Sequence, residues 1–130
     1  METPSAAAPS SGQIWRETTE AESVVLAAAV SGDWEGASEL RSQLPGLLAR
    51  RGCSCGCGSI ELKTRQGMPA RTVPSPAPCE GIVLGAAGEV VGGLLLWVRD
   101  GLLDWLEVYW YDEPLPVPAL DRVRWEIVER

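Results

Sequence analysis

Residues 94–110 read LLLWVRDGLLDWLEVYW, and this stretch decides the fold. Apolar residues run up to Asp100-Gly101 and resume directly after it. Because an Asp-Gly pair readily takes the positive φ angles that a two-residue hairpin turn requires, it predicts two antiparallel strands joined at this point. The sequence therefore predicts strands over residues 90–99 and 102–111.

Further strands are predicted on both sides of this hairpin. Alternation of period two predicts strands over 53–63 and 79–86, joined by a long, proline-rich connection over 64–78. Residues 121–128 alternate apolar and charged side chains, which predicts a fifth strand. A short helix beginning at Asp121 is the alternative interpretation of that segment.

The N-terminal third has helical spacing instead. Thr19 followed by Glu22 fits a capping box, which predicts a first helix that begins there and ends at Gly32. Asp33 can cap a second helix, which Pro45 should kink or break before it ends near residue 52.

Together these elements predict one α+β domain over residues 14–130. An N-terminal helical hairpin (residues 19–50) is expected to pack on one face of a four- or five-stranded antiparallel meander sheet (residues 53–128). Residues 1–13 are rich in Ala, Pro and Ser and are expected to form a flexible tail.

Charge and hydropathy narrow the classes of partner. The 130 residues carry a net charge of −7 and no basic stripe, so nucleic-acid binding is not expected. An acidic chain favours a basic protein partner, because opposite fields raise association rates. The sequence shows neither a signal peptide nor an apolar run long enough to span a bilayer, so we expect a cytoplasmic protein without membrane contact.

The chain carries ELRSQL at 39–44, CSCGCGSI at 53–60 and DGLLDWLEVY at 100–109. Taken together and in this order, these motifs resemble a group of small proteins from high-GC actinobacteria, over residues 24–125. The resemblance implies a compact bacterial cytosolic domain and brings no catalytic or binding residue with it. In size and charge the chain is also similar to the immunity proteins of toxin systems.

Enzymatic function is not expected. The sequence contains no histidine, which removes Ser-His-Asp and Cys-His arrangements and the commonest general base. Asp112 and Glu113 are adjacent carboxylates, but adjacency in the sequence does not place two acids across a scissile bond.

The four cysteines form the sharpest local pattern. Cys53, Cys55 and Cys57 alternate, so a regular strand would point them to one face, and Cys79 begins the next predicted strand. Our first interpretation is that they are small buried apolar residues without a cofactor. A zinc site made by all four thiolates is the alternative, provided that Gly56 and Gly58 allow a bulge, and redox chemistry is a third interpretation.

The strand at 102–111 presents two different faces. We assign one face to the core, namely Leu102, Leu106, Val108 and Trp110. The other face is aromatic and acidic, and its extension into the following turn gives the predicted partner-binding residues: Trp105, Glu107, Tyr109, Tyr111, Asp112 and Glu113. The alternative is that these rings pack beneath the 64–78 connection or pair across strands with Trp97.

The sequence thus predicts a non-enzymatic protein-binding module, with an immunity or antitoxin-type inhibitor of a basic toxin as the specific hypothesis. A small structural or regulatory zinc-binding protein is the second hypothesis. A homodimer formed through an open strand of the sheet is equally compatible with the pattern.

Overall fold

A computed structural model describes residues 14–130, so the predicted tail at 1–13 lies outside the described residues. The helices are α1 (Glu20–Ala29) and α2 (Ala37–Ser42). The strands are β1 (Arg16–Glu17), β2 (Leu48–Arg51), β3 (Ile60–Lys63), β4 (Cys79–Leu84), β5 (Val90–Arg99), β6 (Leu102–Trp110) and β7 (Val123–Ile127).

The β5–β6 hairpin is the longest pairing and confirms the prediction from the Asp-Gly pair. Asp100 has a φ of 54° and Gly101 a φ of 80°, as a tight turn between twisted strands requires. The ladder runs from Arg99 opposite Leu102 to Gly92 opposite Trp110, with one bulge between Trp97 and Val98.

All seven strands belong to one antiparallel sheet in the order β1-β2-β3-β6-β5-β4-β7. Strand β3 therefore pairs with β6 and not with β4, and β7 adds to the far side of β4. The meander is limited to β4, β5 and β6. The long connection over 64–78 exists because the chain must pass two strands before β4 begins.

The first predicted helix and its N-terminal cap are confirmed, but the helix ends at Ala29, and Gly32 lacks the positive φ of the predicted stop. The Thr19 hydroxyl accepts the backbone N–H of Glu22 at 3.1 Å, and the Glu22 carboxylate accepts the N–H of Thr19 at 2.9 Å. These two bonds satisfy N–H groups that have no partner inside the helix.

The second predicted helix is largely wrong. Helix α2 has only six residues, begins after Gly36 and ends at Ser42. Pro45 and Gly46, whose φ is 77°, end the helical region, and residues 48–51 form β2 instead. Ala49 is buried and its neighbours Leu48 and Arg50 are half-buried, so burial alternates along the strand up to Arg51, which is exposed at its end.

The predicted fold class is therefore corrected. The antiparallel sheet is confirmed, but a helical hairpin on a four- or five-stranded meander is wrong, because the sheet has seven strands and the helices contribute only ten and six residues. Residues 123–127 are a strand, preceded by one turn of 3-10 helix at Leu120–Arg122.

The core lies between the helices and one face of the sheet. Leu26 of α1 and Leu40 of α2 join the cluster formed by the buried side of the central strands, including Leu94, Leu106 and Val108. The opposite sheet face, called the outer face below, carries the residues that alternate with these. Within residues 14–130, no helix is long and apolar enough to cross a membrane.

Candidate functional site

Residues 52–59, called the cysteine loop below, connect β2 to β3. They were predicted to begin a strand, but Gly56 has a φ of 94°, which turns the backbone sharply. The N–H of Gly52 donates to the carbonyl of Ser59 at 2.9 Å and closes the neck of the loop. The N–H of Gly58 donates to the carbonyl of Leu115 at 2.7 Å and fixes the loop against the chain that follows β6.

This turn brings three thiols together. The sulfur atoms of Cys53 and Cys57 are 3.2 Å apart, and those of Cys53, Cys55 and Cys57 all lie within 4.8 Å of one another. The N–H of Cys55 donates to the Cys53 sulfur at 3.3 Å, and the Cys57 thiol lies 3.3 Å from the Ser59 hydroxyl. The cluster lies at the surface, with Cys55 exposed and the other two half-buried.

The thiols of Cys53 and Cys55 are not equivalent as acids. Hydrogen bonds from Cys53 and Cys57 lower the pKa of the exposed Cys55 thiol to about 7. The hydrogen bond that Cys53 makes to Cys55, together with burial, raises the pKa of Cys53 to about 11. Of these two thiols, that of Cys55 is the stronger acid.

Cys79 does not join this cluster. It begins β4, which is separated from β3 by both β6 and β5, and its side chain is buried. Burial, followed by the nearby Glu80 carboxylate, raises the pKa of its thiol. The predicted group of four cysteines is therefore a group of three, because the expected pairing of the strands at 53–63 and 79–86 does not occur.

Trp105 and Glu107 lie on the outer face, as the alternation predicted, and both are half-buried. Trp105 stands opposite Trp97 across β5 and β6, and the indole N–H of Trp97 donates to the Glu107 carboxylate at 2.9 Å. This is the cross-strand pairing with Trp97 that the sequence left as an alternative. The connection over 64–78 does not cover these rings. Its end lies beside β5, just before β4 begins, where the N–H of Ala77 donates to the carbonyl of Leu96 at 2.8 Å.

Tyr109 and Tyr111 lie towards the far end of the hairpin. The Tyr109 ring covers Gly93, where an added Cβ would lie 2.3 Å from the ring. Burial, then Tyr111 and the carboxylates of Glu80 and Glu107, raises the pKa of Tyr109. The Tyr111 ring stacks edge-on with Tyr109 at 5.9 Å and remains 60% exposed.

The assignment of the core face of β6 needs correction. Leu106 and Val108 are buried as predicted, but Leu102 is 38% exposed and Trp110 is 36% exposed. Leu103 takes the place of Leu102 in the core, because the bulge opposite Trp97 and Val98 shifts the alternation by one residue.

Asp112 and Glu113 line a surface cleft of about 470 Å³, called the acidic cleft below. Its carboxylates are Glu89, Asp112 and Glu113, and its apolar wall is formed mainly by Leu84, Val91, Leu115, Pro116 and Pro118. Arg122 also lines the cleft, and its guanidinium donates to the carbonyl of Gly85 at 3.2 Å.

Glu89 and Arg122 were not among the predicted site residues, although the sequence held a signal for Glu89. The register that places Gly92 opposite Trp110 brings Glu89 level with Glu113 when it is continued beyond the paired region. The register of the Asp100-Gly101 turn, continued without the bulge at Trp97 and Val98, would place Glu89 one residue away, level with Asp112. No comparable signal existed for Arg122, because it depends on β7 adding to β4.

The outer face is less acidic than its sequence suggests. Glu61 pairs with Arg50 at 2.8 Å, Glu80 pairs with Arg130, and the Arg50 guanidinium lies 4.3 Å from the centre of the Trp15 ring. In the described part of the chain, no ion pair involves Glu89, Asp112 or Glu113. Three carboxylates that lack an ion pair among the described residues therefore share the acidic cleft.

No protein-family model, curated protein or solved structure matches this chain.

Proposed function

We propose that this protein is a non-enzymatic protein-binding module that recognises basic side chains of a partner at the acidic cleft. The observation that carries the proposal is the combination, in one cleft of about 470 Å³, of three carboxylates with an apolar wall. A lysine or arginine side chain has the matching chemistry, because its long apolar stem ends in a cation.

The charge balance of the cleft supports a cationic occupant. Glu89, Asp112 and Glu113 face a single guanidinium, that of Arg122, which already donates to a backbone carbonyl. A cation of the partner could therefore bind these carboxylates without first breaking an ion pair within this protein. Such complementarity raises both the association rate and the specificity for a basic surface.

The predicted partner-binding residues differ in how close they lie to the acidic cleft. Tyr111 is exposed, adjoins Asp112 and supplies a ring beside the cleft. Glu107 accepts the Trp97 indole N–H and Trp105 stands opposite Trp97, and neither residue lines the acidic cleft. We therefore assign most of the binding free energy to Tyr111, Asp112 and Glu113.

The specific form that we propose is an inhibitor of immunity or antitoxin type that acts in the bacterial cytoplasm on a basic toxin. The acidic net charge of −7 and the absence of histidine support a binding role over catalysis. A partner of this kind would be encoded beside the gene for this chain.

The test measures the affinity for the protein encoded by the adjacent reading frame, by isothermal titration calorimetry at two salt concentrations. The variant D112K/E113K should weaken binding by at least about tenfold and flatten its salt dependence, since it removes two charge pairs. The matched control is D33K/E35K, which changes the net charge equally at two exposed positions between the helices. Equal affinities for the two double variants would refute the proposal, and so would the absence of a complex with the wild-type chain.

A second candidate function is a structural or regulatory zinc-binding role for the cysteine loop. The observation in its favour is the convergence of three sulfur atoms within 4.8 Å. Thiolate is a preferred ligand of zinc, and coordination at one loop would hold β2 and β3 in register. Native mass spectrometry of protein purified without chelator should then show one zinc per chain, and a metal-free spectrum would rule this role out.

A further inference from the structure

Among the residues that the structure describes, the cysteine loop brings three sulfur ligands together. Cys53, Cys55 and Cys57 are the only group of three or more His, Cys, Asp or Glu side chains within residues 14–130 whose ligand atoms converge. Cys79 lies on β4, which is separated from β3 by two intervening strands. A structural zinc ion almost always takes four protein ligands, so this set leaves zinc one ligand short.

We propose that the cysteine loop is a three-thiolate site for copper(I). Copper(I) is a soft ion that prefers sulfur and is satisfied by three thiolates in a plane, without a fourth ligand. This inference replaces zinc with copper(I) as the metal of the cysteine loop, and it does not depend on the partner-binding proposal. Binding forms three Cu–S bonds and releases to solvent the protons that the thiols still carry, with no change of oxidation state.

The loop is already shaped for such a site. Its neck is closed between Gly52 and Ser59, and its flank is fixed to Leu115, so little backbone freedom remains to be lost when an ion binds. Gly58 is required at the flank, because an added Cβ would lie 2.4 Å from the backbone nitrogen of Val117. The positive φ of Gly56 directs the neighbouring cysteines to one side of the turn.

Hydrogen bonds hold two of the three cysteines. The N–H of Cys55 donates to the sulfur of Cys53 at 3.3 Å, and the Cys57 thiol donates to the Ser59 hydroxyl at 3.3 Å. Ser59 accepts the N–H of Val108 at 2.8 Å, so it is fixed to β6. An N–H that donates to a thiolate offsets part of the negative charge that three thiolates leave on a monovalent ion.

The site is also open to exchange. Cys55 is exposed and Cys53 and Cys57 are half-buried, so a small carrier that delivers copper(I) from its own thiol ligands can reach the sulfurs. Ligand exchange between thiolates then transfers the ion without releasing it free into solution.

The test is an anaerobic titration of the full chain with copper(I), supplied as its acetonitrile complex, against a chromophoric copper(I) chelator. We expect one ion per chain and three sulfur neighbours by X-ray absorption spectroscopy. Each of the variants C53S, C55S and C57S should weaken binding by at least about a hundredfold, because each removes a ligand. The variant C79S is the matched control and should bind as the wild type does.

Three results would each overturn the inference. These are copper retained entirely by the chelator, a bound ion with only two sulfur neighbours, and a loss of affinity in C79S equal to that in C55S. Circular dichroism of each serine variant shows whether the fold persists; a variant that unfolds is replaced by the corresponding alanine variant. The D112K/E113K variant should keep its copper affinity. A failure of the copper proposal can therefore be distinguished from a failure of the partner-binding proposal at the acidic cleft.

Discussion

At the scale of single residues, the most heavily bonded side chain is a buried glutamine. The Gln43 amide nitrogen donates to the carbonyls of Met68 at 2.7 Å and Gly101 at 2.9 Å. Its oxygen accepts the N–H of Leu103 at 2.8 Å and the hydroxyl of Thr64 at 3.3 Å. One side chain thus joins the end of α2 to the long connection and to the β5–β6 turn.

Replacing Gln43 with leucine should lower the free energy of unfolding by about 2 kcal/mol, because the buried N–H of Leu103 loses its acceptor. The carbonyl of Met68 also loses a donor, whereas the carbonyl of Gly101 keeps the N–H of Ala70. Urea denaturation monitored by tryptophan fluorescence measures this change. The control is Gln66→Leu, an exposed position on the same connection that should change stability by less than about 0.5 kcal/mol. A loss below about 1 kcal/mol for the Gln43 variant would contradict this account.

Glu22 is a second residue with more than a local role. It is only 6% exposed, and both of its oxygens accept from Arg16, at 2.9 and 3.0 Å. Burial pushes the pKa of Glu22 upwards, but the bonds from Arg16 and from the Thr19 N–H outweigh burial, so its pKa lies below the usual value. The ion pair therefore holds β1 against α1.

This pKa shift predicts the pH dependence of stability. Because the pKa of Glu22 is lower in the folded state, its contribution is fully present above the unfolded-state value of about 4.3 and is lost as the pH falls through the folded-state value. Glu22→Gln should cost about 2 kcal/mol at pH 7 and less below about pH 4. Urea denaturation from pH 3 to 7 measures the difference, with the exposed Glu20→Gln as control. A cost that stays constant over this range would disprove the linkage.

At the scale of elements, aromatic rings of one strand pack over glycines of the next. Gly93 of β5 stands opposite Tyr109 of β6, and its missing side chain leaves room for the ring. Gly81 of β4 likewise stands opposite Trp125 of β7 and leaves room for its ring, since an added Cβ would lie 3.1 Å from that indole. These contacts let large rings lie flat on the sheet.

The variant Gly93→Ala should therefore destabilise the protein by about 2 kcal/mol, because the new Cβ displaces the Tyr109 ring. In a double-mutant cycle with Tyr109→Ala, most of this cost should disappear, giving a coupling of about 1–2 kcal/mol. Chemical denaturation of the four proteins measures the cycle. Additive effects of the two substitutions would show that the ring and the glycine do not depend on each other.

Local signals predicted some elements well and others poorly. The Asp100-Gly101 turn and the Thr19 capping box were correct, because each depends on backbone geometry within a few residues. Residues 47–51 were assigned to a helix, since a run of leucines fits period 3.6 and period two alike until its partners are known. Strand β2 forms there because β3 lies beside it.

At the scale of the whole molecule, the order of the strands was beyond the reach of the sequence. No pattern in residues 64–78 indicates that the chain crosses the positions of β6 and β5 before β4 begins. The error propagated to the candidate sites, because Cys79 could join the other cysteines only if the strands were neighbours. Asp112 and Glu113, which line the cleft, could be chosen from the sequence because they are neighbours along the chain, whereas Glu89 and Arg122 join them only through the tertiary pairing.

Strands β1 and β7 occupy opposite edges of the sheet, six interstrand spacings or about 29 Å apart. A mechanical force applied between residues 16 and 127 would act perpendicular to the strands. Each pair of neighbouring strands would then carry the full force, one pair after another across the sheet. Backbone hydrogen bonds loaded in that direction open one after another, starting with the two-residue pairing of β1 with β2. A molecule held by a well-packed interior would thus resist denaturant far better than it resists tension.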